Sequence, residues 1–130
     1  MPPTWGKFAL ALLKRSDIGF GEKLELVERI IPKADVILGA QMVSQLLEAA
    51  RTTRPSKEEL YFLCEASENS QMLAEYLRGF FMVESDDRLE MAERLEQVLS
   101  FRFVEKRNKY SIKEKKLHQT VAEYLLRNRN

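Results

Sequence analysis

Between Ser56 and Val83 the chain reads SKEELYFLCEASENSQMLAEYLRGFFMV, and this stretch leaves few folds open to it. Ser56 is followed three residues on by Glu59, the spacing at which a hydroxyl and a carboxylate satisfy each other's free backbone N–H groups at a helix start. Leu60, Leu63 and Cys64, then Met72, Leu73, Tyr76, Leu77, Phe80 and Phe81, recur at helical intervals, so two successive helices each carry an apolar face. The break between them is Ser67-Glu68-Asn69-Ser70, because short polar side chains compete for backbone hydrogen bonds and favour caps over helix interiors. These are the densest apolar faces in the chain.

The same periodicity runs through the flanking segments. Trp5, Phe8, Ala9, Leu12 and Leu13 mark an amphipathic helix over residues 5–15, with Thr4 placed to cap it. Phe20, Leu24, Val27 and Ile31 line a second helix that Pro32 stops. Val36, Ala40, Val43, Leu47 and Ala50 define a third, starting near Asp35; Gly39 costs it roughly 1 kcal/mol of propensity and admits a close neighbour. Residues 51–55 read as a loop. Ser85-Asp86-Asp87 then caps a helix bearing Leu89, Ala92, Leu95, Val98 and Leu99. Residues 100–112, SFRFVEKRNKYSI, read as a short hairpin, with aromatic and β-branched positions on either side of a polar Lys106-Arg107-Asn108-Lys109 turn. Ser111 and Glu114 form a second capping box, ahead of a closing helix with Leu117, Val121, Tyr124 and Leu125 inward. The predicted fold class is all-α: one domain over residues 1–130, a bundle of about six to seven helices with one short β-hairpin near residues 101–112.

A chain of 130 residues with 45% hydrophobic and 32% charged residues builds a core without disulfides or metals. Its one cysteine, Cys64, cannot form an intramolecular bridge, and no leader-like apolar segment follows a basic start, which places the chain in the cytoplasm or nucleus. The longest apolar run, Phe8 to Leu13, is six residues. A bilayer needs about 20, so no membrane association is predicted. There is no Gly-rich phosphate loop, no Gly-x-Ser-x-Gly elbow and no His/carboxylate cluster. One His and one Cys make no zinc set; His118 reads as a surface residue and Cys64 as a buried structural thiol. Asp86, Asp87, Glu90 and Glu93 lack calcium-loop spacing and read as an acidic helix start. No catalytic, cofactor-binding or metal-binding residue and no small-molecule substrate are predicted, and the chain reads as a non-enzyme.

The formal net charge of +1 conceals an uneven distribution. Residues 54–99 hold 5 Lys/Arg against 11 Asp/Glu, a net −6, whereas residues 100–130 hold 9 against 3, a net +6. Either the acidic middle and basic end pack together, or the basic end faces an acidic partner. Lys106, Arg107, Lys109, Lys113 and Lys116 are the candidates for such a docking stripe. Phe80 to Val83 cannot all face one core from a helix, so either the extra residues fill a crowded interior where the helix ends, or Phe80, Phe81 and Met82 form an apolar partner surface.

Several segments together resemble death-effector domains, the six-helix modules of the death-fold superfamily. They are Ile30-Ile31-Pro32-Lys33, Gly39 before Ser44 and Leu46-Leu47-Glu48, a loop with Pro55, Glu58-Glu59-Leu60-Tyr61-Phe62-Leu63, and Met72-Leu73 ahead of Tyr76-Leu77. The resemblance covers residues 5–83, with 84–130 as additional helices; in place of the family's Arg-x-Asp-Leu-Leu signature stands Asn69-Ser70-Gln71-Met72-Leu73. It implies a non-enzymatic protein-protein interaction module, an adaptor or regulator that recognises other helical domains or itself. A second resemblance, of Leu89 to Ile112 to the last helix and wing of a winged-helix domain, implies nucleic-acid binding through residues 102–116, with Lys106, Arg107 and Lys109 on phosphates. The acidic residues of the preceding helix oppose that alternative.

Overall fold

The computed structural model describes residues 3–129. Seven helices of at least eleven residues follow one another: α1 (Pro3–Lys14), α2 (Phe20–Ile30), α3 (Val36–Glu48), α5 (Lys57–Asn69), α6 (Gln71–Phe81), α7 (Leu89–Lys106) and α8 (Ile112–Asn128). A single turn, α4 (Ala50–Thr53), lies between α3 and α5, and short 3-10 segments follow α2 and α7. The described residues contain no strand. The all-α expectation holds.

The predicted starts of α3 and α5 are in place. Asp35 Oδ1 accepts the Leu38 N–H at 2.8 Å. Ser56 and Glu59 bond reciprocally at 3.1 and 3.0 Å, and Glu59 Oε2 also accepts the N–H of Gly21 at 2.9 Å, tying α5 to α2. Helix α5 runs on to Asn69, so the expected four-residue break reduces to Ser70, whose extended backbone closes α5 and whose hydroxyl caps α6. Ser67 stays helical because its buried hydroxyl donates to the Cys64 carbonyl at 2.7 Å. Thr4 lies within α1 and does not cap it.

Helix α6 sits among α3, α5 and α8, and α8 packs on both α6 and α7 while α2 leans on α3 and α5. One core joins all seven long helices, from Ala9 and Leu13 through Leu46, Leu63 and Leu77 to Leu99 and Val121. Gly39 does admit a close neighbour: a Cβ there would lie 2.6 to 2.8 Å from the outer ring atoms of Tyr76 on α6. Only part of the expected face of α1 is covered, since Ala9 and Leu13 are buried but Trp5 and Phe8 remain exposed.

Two expectations near the C-terminal half fail. Residues 101–106 are the end of α7 and no hairpin forms; Leu95, Val98, Leu99 and Arg102 continue one helical face inward, and the reversal needs only Arg107, at φ 50°, and a 3-10 turn. The Ser85-Asp86-Asp87 cap is also absent. Ser85 bonds to Asp87 instead, and α7 is anchored from outside, with the Arg88 N–H donating to Tyr124 Oη at 3.0 Å and that hydroxyl donating to the Ser85 carbonyl at 2.5 Å.

Candidate interaction surface

Helices α5 and α7 lie side by side, and their outer faces frame a groove of about 530 Å3. On α5 the inward phase is set by Leu60, Leu63 and Cys64, which throws Phe62 outward; on α7 it is set by Leu95, Val98 and Leu99, which does the same to Phe101. Both phenylalanines are 59% exposed. Tyr61 and Val98 lie between them, and Tyr61 meets each ring edge-on at centroid distances of 6.5 and 6.4 Å. Val104, 70% exposed, continues the apolar strip one turn beyond Phe101. Placing two phenylalanine rings in water on adjacent helices forgoes a large part of the 1.5–3 kcal/mol that burying each would gain.

A buried charge cluster beneath the groove holds α5, α7 and α8 in register. Arg102 is fully buried, and its guanidinium grips Glu114 of α8 with two bonds, Nε to Oε2 at 2.6 Å and Nη2 to Oε1 at 2.8 Å. It also reaches Glu68 at 2.9 Å and Glu65 at 3.3 Å on α5, and its plane lies 4.5 Å from the centroid of the Tyr61 ring. Lys106 adds contacts to Glu68 and, at 3.1 Å, to Glu114. Burial alone would lower the pKa of the guanidinium, but its hydrogen bonds and charge pairing with Glu114 raise it above the ordinary range. Burial would likewise raise Glu114; its bonds to Arg102 and then Lys106 hold the carboxyl below the usual value. The Ser111–Glu114 capping box is therefore only half made: Ser111 Oγ accepts the Glu114 N–H at 3.2 Å, while the carboxylate turns to Arg102.

This cluster redistributes the residues expected to form a basic stripe. Lys106 is consumed by Glu68 and Glu114, and Lys113 Nζ approaches the Glu68 carbonyl at 3.4 Å. Arg107 and Lys109 are exposed but sit in the turn before Ser111, off the axis of α8, and Lys116 is exposed on α8. The acidic match for Lys106 is Glu68 of α5 together with Glu114; the row Glu90, Glu93 and Glu96 meets the basic end only where Arg129 lies 3.8 Å from Glu93 and His118 3.7 Å from Glu96. With residues 101–106 helical, the wing-like hairpin that carried the nucleic-acid resemblance is absent.

The apolar candidates divide. Phe80 and Phe81 are 6% and 0% exposed, packed edge to face with each other and, for Phe81, with Tyr124, so both belong to the core. Helix α6 ends at Phe81, which frees Met82 and Val83 to face solvent. Leu63 and Leu77 are fully buried. Cys64 is buried too, and desolvation pushes its thiol up to about 12, against the opposing pull of Arg102.

His118 is half-buried rather than on the surface. Its Nδ1 lies 3.2 Å from Tyr110 Oη and its Nε2 3.4 Å from Ser100 Oγ, with Glu96 3.7 Å away. Ser100 Oγ donates to Glu96 at 2.7 Å, which directs its proton away from the imidazole. Ser100 also lies inside α7, where neighbouring N–H groups are committed to the helix ladder and form no oxyanion hole. Among the described residues no three His, Cys, Asp or Glu side chains are grouped to hold a metal ion, and no helix is long and apolar enough to cross a membrane. Comparison with protein-family models, curated proteins and solved structures finds no match.

Proposed function

We propose that this chain is a non-enzymatic protein-interaction module, an adaptor or regulator that engages another protein through the groove between α5 and α7. The observation that carries the reading is the pairing of Phe62 and Phe101, each 59% exposed, across one apolar concavity. Contiguous exposed apolar surface on a small domain marks an interaction site more often than a tolerated defect. The resemblance of residues 5–83 to death-effector domains points the same way, and a buried free thiol suits a reducing compartment, the cytoplasm or the nucleus. The test is site-specific photo-crosslinking in cells that make the chain. A benzophenone amino acid replaces Phe62 or Phe101, and a control replaces Leu126, which is 80% exposed on α8. The same discrete protein adduct from both groove positions, absent from the Leu126 control, is the expected result. No adduct, or an equal pattern at all three positions, refutes the reading.

A further inference from the structure

Among the described residues, the ionisable groups around the groove are mostly acidic, with Lys57 the one cation in its lining. Each framing helix places a glutamate one turn beyond its groove aromatic: Glu65 follows Tyr61 by four residues on α5, and Glu105 follows Phe101 by four on α7. Glu105 is fixed there by the Tyr61 hydroxyl, which donates to it at 2.5 Å, and Glu65 is 49% exposed. Glu58 lines the opposite end beside Lys57. Arg94 donates to the Pro55 carbonyl and keeps its charge, whereas Arg102 is enclosed by three carboxylates. Taken together, Lys57, Arg94, Arg102 and Lys106 face Glu58, Glu65, Glu68, Glu105 and Glu114, so this side is still negative, and among the described residues the carboxylates of Glu58 and Glu105 have no cation within ion-pair distance.

We infer that the α5/α7 groove receives an amphipathic helix of a partner protein, its apolar stripe seated on Phe62, Tyr61 and Phe101 and its flanking Lys or Arg residues facing Glu58, Glu65 and Glu105. This rests on the interaction-module reading and specifies the partner's chemistry. The described residues offer no strand edge on which an extended segment could add a ladder, and an apolar strip running along two packed helices suits helix-in-groove docking; a Pro-rich segment stacked on the same aromatics is the rival that the test below includes. Side chains at i, i+3, i+4 and i+7 of an incoming helix match a strip bounded by Phe62 and Phe101 and extended by Val104. Apolar contact supplies the affinity, and the acidic rim selects the sign of the flanks and speeds encounter.

The test uses the whole chain and three labelled synthetic peptides of about 20 residues each. One is a helix with a Leu stripe and Lys/Arg flanks, the second carries the same stripe with Glu flanks, and the third is an extended Pro-rich peptide. Fluorescence anisotropy is read for the wild type, for Phe62→Asp/Phe101→Asp and for Glu58→Lys/Glu105→Lys, with a thermal melt of each variant as the check on folding. The expected result is that the basic helix binds about tenfold or more tighter than the acidic one. The phenylalanine pair should abolish that binding with the melt unchanged, and the glutamate pair should erase or reverse the preference. Equal or inverted preference, tighter binding of the Pro-rich peptide, binding that survives Phe62→Asp/Phe101→Asp, or no binding of the basic helix overturns the inference. Self-association of the unliganded chain that is lost in Phe62→Asp/Phe101→Asp would overturn it in favour of a second copy. The crosslinking at Phe62 and Phe101 is independent of all these peptides, so a groove adduct with no basic-helix binding would sink the partner chemistry and leave the module reading standing.

Discussion

Replacing Arg102 with methionine keeps most of the side-chain volume and removes the charge at the centre of the α5–α7–α8 junction. Arg102 and Glu114 have fully shielded side chains and share two short bonds, so Arg102→Met strands a carboxylate that has already left water. Breaking a buried pair from one side costs about 3–5 kcal/mol. Lys106 stays 3.1 Å from Glu114, which places the expected loss at the lower end, about 3 kcal/mol, out of the roughly 5–15 that a domain possesses. Removing both charges together, in Arg102→Met/Glu114→Leu, should recover most of that loss, because apolar replacement of a buried pair is often close to neutral. Urea unfolding of the wild type, both single variants and the double variant gives the coupling directly. The pH dependence supplies a sign. Glu114 has a folded-state pKa below its ordinary 4.5, so its contribution is complete above pH 4.5 and is lost as the pH falls through the lower folded value. In Arg102→Met the same buried carboxyl loses its principal donor and its pKa rises, so acidification should relieve the variant where it weakens the wild type. A cost below about 1 kcal/mol for Arg102→Met, or a double variant as unstable as the single, would refute this account of the cluster.

Three further outcomes follow from particular contacts. Gly39→Ala should destabilise the fold by about 1–3 kcal/mol despite the better helix propensity of alanine, and the sign should reverse in a Tyr76→Ala background, as denaturant melts will show. Cys64 should resist alkylation at pH 8 in the folded chain and react at once in denaturant, since burial keeps it a neutral thiol; rapid native-state labelling by mass spectrometry would contradict its position. Lys106→Glu should lower the melting temperature sharply, whereas Lys109→Glu and Lys116→Glu should leave it nearly unchanged, because Lys106 alone of the three meets Glu68 and Glu114.

The helices were legible wherever apolar residues repeat on one face and a short polar residue precedes them: Asp35, Ser56 and Ser111 all cap where their spacing predicts. The segment at 100–112 was misread because its inward anchor is charged. Arg102 continues the face of Leu95, Val98 and Leu99, but a guanidinium counts as polar in any periodicity, so the helix seemed to end where its burial is deepest. Only tertiary partners, Glu65 and Glu68 some 34 to 37 positions away, reveal it as a core residue. The same distance effect hid the groove. Phe62 looked like one apolar residue off the main face of its helix and Phe101 like a position of the expected hairpin, and nothing local says that the two meet across one concavity. Phe80 and Phe81 were legible as part of an apolar helix face, but a choice between interior and partner surface needed their tertiary neighbours, Tyr124 of α8 on Phe81 and Arg88 on Phe80.

The central claim is that partner recognition belongs to the aromatic groove and not to the basic C-terminal surface. The most direct measurement is quantitative capture by the purified full chain, comparing wild type, Phe62→Asp/Phe101→Asp and Arg107→Glu/Lys109→Glu/Lys116→Glu, with bound protein and bound nucleic acid determined separately. All five positions are exposed, so the three chains should melt alike. The account predicts that the protein crosslinked at Phe62 in the wild type is retained by the basic-surface variant and lost by the groove variant. Retention by the groove variant, or loss of bound nucleic acid confined to the Arg107, Lys109 and Lys116 variant with no protein partner in any sample, would contradict it.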